Sequence, residues 1–143
     1  MRSSWWPRSP EAPGAVSTVL FAAAVPLLLR WRPLDRLPAV LAPRGPLPPA
    51  PAPEQVAALV ARVDRLLAAG RPLVRSGCLV RGLTLYRVLR RAGAEVSLRF
   101  GVGVIGGQPG GRMAAHCWLV YQGEPLAEPR DPRPLFAETW SIP

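Results

Sequence analysis

SGCLVRGLTLYRVLRRAGAEVSLRFGVGV, residues 76–104, changes its periodicity halfway along, and that change decides the fold. From Cys78 the apolar residues recur at helical spacing as far as Arg90-Arg91, with Gly93 just beyond. Cations suit the negative end of a helix dipole, and a glycine suits the left-handed stop after it. From Val96 the pattern alternates. Val96, Leu98, Phe100, Val102 and Val104 face one way, and Glu95, Ser97, Arg99, Gly101 and Gly103 the other, as in a strand. The helix opens on a cysteine that follows a Ser-Gly turn. Cys78 is therefore either a small apolar residue filling a core or a thiol placed where its proton leaves easily.

Upstream, Val56, Leu59, Val60, Val63, Leu66 and Leu67 predict a helix over 54–69, with Gly70 as its C-cap. Downstream, "IGGQPGG" predicts a turn, Met113–Tyr121 a second strand, and "QGEP" a turn into a short third strand near Leu126–Glu128. Helix, helix and antiparallel meander make an α+β domain. Twelve of the 19 prolines fall in residues 1–53. Residues 1–53 accordingly read as an N-terminal extension: a disordered tail over 1–14, an apolar helix, and a stiff proline-rich linker over 43–53. Residues 54–143 read as the folded domain.

The apolar run Ala15–Leu29 is shorter than the roughly 20 residues that a span needs, and Ser17, Thr18 and Pro26 interrupt it. It reads as a buried or interfacial helix, and residues 15–29 are the stretch where membrane contact is expected if there is any. The two cysteines do not make a secreted disulfide scaffold, so reduced thiols in a cytoplasm are the expectation. Net charge is +9 and every basic residue is arginine. The arginines are scattered and little interleaved with aromatics, so no nucleic-acid partner is expected.

His116 is the single histidine. On strand periodicity it shares a face with Ala114, Trp118 and Val120, while Cys117 points the other way. A thiol partner for His116 is therefore Cys78, and Cys117 is expected to be inert. The positive end of the helix dipole favours a thiolate at Cys78, and free backbone N–H groups there suit an oxyanion. A Cys–His pair needs a third group to fix the imidazole. Glu128 and Asp131 are the candidates, and the hairpin register decides between them. One histidine and two cysteines facing apart make no zinc site, the glycine-rich runs open no helix to cradle phosphate, and no cofactor is expected. Ser97, Arg99, Gly101 and Gly103 mark one strand face as a candidate substrate groove.

"CLVRGLTLYRVLRRAGAEVSLRFGVG" followed by "AAHCWLVYQGEPLAE" resembles the transglutaminase-like domain of lasso-peptide leader peptidases, the B-type processing proteins typified by the C-terminal domain of the microcin-processing protease. The likeness covers roughly residues 54–136 and rests on Cys-Leu-x-Arg at a helix start and Ala-His-x-Trp in a strand. It implies a papain or transglutaminase-like core, with Cys78 matching the nucleophile, His116 the base, and Glu128 standing where aspartate is usual. Cys117 replaces the usual alanine, and Gly82 replaces a usual Ser or Ala. The resemblance further implies a precursor peptide as substrate, a separate leader-recognition protein that delivers it, and a macrolactam synthetase that closes the ring afterwards. Two rival readings stand beside leader cleavage: acyl transfer on the same Cys–His site, and a non-catalytic basic module that binds an acidic peptide or RNA.

Overall fold

The computed structural model describes residues 14–106 and 110–143, so the tail read over 1–14 lies almost wholly outside the described residues. Helix α1 spans Ala15–Trp31. A 3₁₀ turn at Leu34–Arg36 leads into the short α2 (Leu37–Leu41), and α3 (Pro53–Ala69) and α4 (Cys78–Arg91) follow. Four strands follow among the described residues: β1 (Val96–Ile105), β2 (Arg112–Tyr121), β3 (Glu124–Leu126) and β4 (Ala137–Ile142).

Helix α3 starts on Pro53, which suits a first helical turn, and Gln55 Oε1 accepts the Ala52 N–H at 2.9 Å. Its buried side chains, Val56, Val60 and Val63, lie one turn apart on a single face. Helix α4 differs. Val80, Gly82, Leu83, Thr84, Leu85, Tyr86, Val88 and Leu89 are all buried, because α4 lies between the sheet on one side and α1 and α3 on the other. Thr84 is tolerated there because its hydroxyl donates to Val80 O at 2.7 Å. Leu83, Leu85 and Leu89 are fully buried, and burying each one stabilises the fold by about 1.5–3 kcal/mol. Ala22 and Val25 of α1 and Leu37 and Leu41 of α2 belong to the same apolar core, so residues before the proline-rich stretch help to hold α4.

The sheet order is β3-β2-β1-β4, antiparallel throughout. Sequence periodicity predicts three strands in a meander, and the structure adds a fourth. β4 lies against β1, and only its last residue, Ile142, is fully buried, beside Leu98. A strand exposed over most of its length leaves little alternation to read. Residues 127–136 link β3 to β4 by crossing the sheet face opposite α4. A Cβ on Gly103 would run into Leu135 O, and one on Gly101 would meet Ala137 O at 2.9 Å and Trp118 at 3.0 Å. The chain's own segment thus closes over Gly103 on the glycine-bearing face of β1, while Gly101 lines a small cleft beside Cys78. The two glycines serve the close approach of this segment.

Candidate functional site

Cys78 is the first residue of α4 and follows Gly77 in extended conformation. No acidic residue lies in the first turn of α4, so the positive end of its dipole is unopposed where the thiol sits. The rest of the helix is largely buried, yet Cys78 is exposed.

β2 brings His116 to the same place. β3 pairs only with Leu119–Tyr121, so among the described residues no strand lies on the outer side of β2 at His116. Groups from both sheet faces meet at this free edge. The start of α4 arrives from one face and the segment after β3 from the other. The β2–β3 loop is the two-residue Gln122-Gly123, both with positive φ, which sets Tyr121 opposite Glu124. Ala127, also at positive φ, then turns the chain off the sheet. As a result Glu128 Oε2 lies 2.9 Å from His116 Nε2, and the Glu128 side chain is only 9% exposed. Asp131 is elsewhere, exposed and held by Arg133 at 2.7 Å. Of the four residues singled out from sequence, Cys78, His116 and Glu128 come together and Asp131 stays apart.

His116 is flanked by two rings, Trp118 at 6.1 Å and Phe136 at 5.2 Å between centroids. Burial works to lower its pKa. Hydrogen bonds to Glu128 and Cys78, together with their negative charges, outweigh burial and raise it. The Cys78 thiol is pulled down to about 5. The largest cause is a hydrogen bond from the Cys117 thiol. Burial opposes it, and the Cys117 backbone N–H and the His116 imidazole reinforce it. Nε2 is taken by Glu128, which leaves Nδ1 as the ring nitrogen free to serve a thiol.

What periodicity does not anticipate is that the buried Cys117 bears on the Cys78 thiol. The alternation itself holds, since Cys117 is buried toward α4. Its sulfur sits 3.1 Å from where a Gly82 Cβ would be, one helical turn beyond Cys78 on the same side of α4. From there it reaches the nucleophile position. Its own pKa is pushed strongly up, by the bond to Cys78 first and by burial second. Of the two thiols Cys78 carries the charge, because it is the exposed one and the one that faces the imidazole.

Sequence reasoning also missed a brace. Arg81 donates to Asp64 through Nε at 2.7 Å and Nη2 at 3.1 Å, to Ala127 O at 3.4 Å, and lies 3.9 Å from Glu128 Oε1. It joins α3, α4 and the segment carrying Glu128. The readable signal was its place three residues after Cys78, which puts it on the same side of the helix.

Two clefts flank Cys78, and His116 and Cys117 line both. One, of about 350 Å³, adds Arg81, Ala127, Glu128 and Pro129; the other, of about 160 Å³, adds Leu79, Phe100, Gly101, Val102, Ala115 and Thr139. Among the described residues no group of His, Cys, Asp and Glu side chains is arranged to hold a metal ion, and no helix is long and apolar enough to cross a membrane.

Comparison with curated proteins and with solved structures gives no match. The family model described as the transglutaminase-like superfamily matches residues 19–141, from within α1 to within β4. A thiol at a helix N-terminus, an imidazole on the adjoining strand and a carboxylate behind it thus lie within a chain that belongs to the transglutaminase-like superfamily.

Proposed function

We propose that this chain is a cysteine peptidase that removes the leader from a ribosomally made precursor peptide in lasso-peptide biosynthesis. The observation that carries the chemistry is the alignment of Cys78, His116 and Glu128, with the His116–Glu128 contact at 2.9 Å. What supports the narrower substrate is the pair of motifs around Cys78 and His116 that resemble those of the leader peptidases.

In this reading the Cys78 thiolate attacks the scissile carbonyl carbon, and the carbonyl oxygen becomes an oxyanion facing the N–H groups that open α4. The imidazolium of His116 gives its proton to the departing amine as the C–N bond breaks, which leaves a thioester on Cys78. The now neutral imidazole takes a proton from water, and the hydroxide attacks the thioester carbon. The peptide acid leaves, and the thiolate–imidazolium pair is restored. Glu128 holds the proton on Nε2 and stabilises the imidazolium, which keeps Nδ1 toward the sulfur. A separate leader-recognition protein delivers the precursor, and a macrolactam synthetase takes the product.

The test is to incubate the purified protein with precursor peptides encoded beside it, with and without the small recognition protein, and to follow leader loss by mass spectrometry. Cleavage in the wild type that disappears in Cys78→Ala is the expected result. Near-normal cleavage by Cys78→Ala would remove the mechanism. A product joined to an added amine would replace hydrolysis by acyl transfer. RNA or acidic-peptide binding that falls steeply with salt, in a chain whose Cys78 variant behaves as wild type, would favour the binding module.

A further inference from the structure

β1 and β2 run on past the start of α4 and carry an uncovered apolar shelf. Register pairs Val102 with Ala115 and Val104 with Met113, so these four share the face on which α4 packs. Further back that face is core, with Leu98 beside Leu119 and Phe100 beside Cys117. α4 starts at Cys78, and past that point nothing among the described residues covers the strands. Val102 is 37% exposed, Val104 59% and Met113 73%. Exposed side chains of this size, side by side on one face, mark an interaction surface.

What occupies this shelf is indicated by where it leads. The smaller cleft is lined by Val102 and Ala115 together with Cys78 and His116, so the shelf is continuous with the thiol. Strand alternation sends Arg112, next to Met113 in β2, to the other face, opposite Ile105. The cleft on the opposite flank of Cys78 is different in kind, because it holds Arg81 and Glu128. A chain lying across Cys78 therefore meets charge on one flank and aliphatic surface on the other.

We propose that the shelf of Val102, Val104, Met113 and Ala115 is a substrate subsite that holds aliphatic side chains on one side of the amide that Cys78 attacks. The inference rests on the peptidase reading and adds a substrate preference to it: residues on that flank are apolar, and an acidic residue there is rejected because it would be desolvated without a partner.

The subsite is tested with two electrophiles that share one reacting group, iodoacetamide and N-hexyl iodoacetamide, each measured on Cys78 of the full chain and on free cysteine. The readout is the hexyl-to-parent rate ratio on Cys78 relative to that on free cysteine. An alkyl chain that buries about half of its surface on the shelf raises this ratio by roughly tenfold or more. In Val104→Asp and Met113→Asp the ratio falls toward one. Both side chains are mostly exposed, so neither substitution removes core packing. A wild-type ratio near one, or a ratio that persists in both variants, overturns the subsite. A wild-type dimer that Met113→Asp converts to monomer in sedimentation also overturns it, since the shelf would then be covered by a second copy. Peptide cleavage does not enter this readout, so failure of the peptidase reading is seen separately, in the precursor assay.

Discussion

Glu128 Oε2 and His116 Nε2 lie 2.9 Å apart, although twelve residues separate them and Glu128 belongs to no strand. The contact places negative charge behind the imidazole, and that charge helps to hold the His116 pKa above its usual value. Glu128→Gln keeps the shape and removes the charge. The expected result is a lower His116 pKa, read from ring NMR shifts, and a loss of roughly 100-fold or more in kcat for precursor cleavage. Asp131→Asn, which alters only an exposed contact with Arg133, should stay within about twofold.

The pH dependence of Cys78 follows from the two shifts. A thiol is reactive only once ionised, and the Cys78 pKa is about 5, so alkylation rises through about pH 5 and then levels off. Cleavage also needs the imidazolium as proton donor. The His116 pKa is raised, so kcat/KM falls only as pH climbs past a value above the ordinary histidine range, which gives a bell. His116→Ala should move the alkylation midpoint upward. Alkylation with its midpoint still near that of a free cysteine, in the folded wild type, would contradict the assignment.

Cys117 is the largest single influence on the Cys78 thiol. Cys117→Ala removes a hydrogen-bond donor and leaves the backbone N–H in place. The midpoint for Cys78 alkylation should rise, while the unfolding free energy changes by only about 1 kcal/mol, because one buried sulfur is lost. Thiol titration by peptide mass spectrometry and chemical denaturation read the two quantities separately. An unchanged midpoint would mean that the helix dipole and His116 suffice.

Gly103 links the fold to the site. A Cβ there would strike the Leu135 carbonyl, in the same crossing segment that carries Glu128. Gly103→Ala should cost about 1–3 kcal/mol and lower activity by displacing that segment. Gly82→Ala meets side chains rather than backbone, the Cys117 sulfur and a Leu98 methyl each at 3.1 Å, and should be milder. Thermal unfolding and cleavage rates, measured on the same preparations, check the ranking.

Local periodicity sufficed for much of this protein. The change of period around Gly93 fixed α4 and β1, and alternation in β2 separated His116 from Cys117, which left Cys78 as the thiol to pair with the histidine. These are properties of neighbouring residues, and burial of one face imposes them on the sequence directly. The choice between Glu128 and Asp131 was not written there. It depended on two positive-φ residues in the β2–β3 loop and a third at Ala127, which together set where the chain leaves the sheet. β4 was invisible for a similar reason: its place beside β1 comes from a crossover, and only Ile142 is fully buried to mark it. Cys117 faces away from His116 along the strand and still bears on the Cys78 thiol, because it packs against the first turns of α4. Which strand face stays open was likewise decided by the segment that crosses Gly101 and Gly103. Register, crossover and edge depend on residues far apart in the chain, so only the assembled tertiary structure brings the carboxylate, the second thiol and the apolar shelf to Cys78.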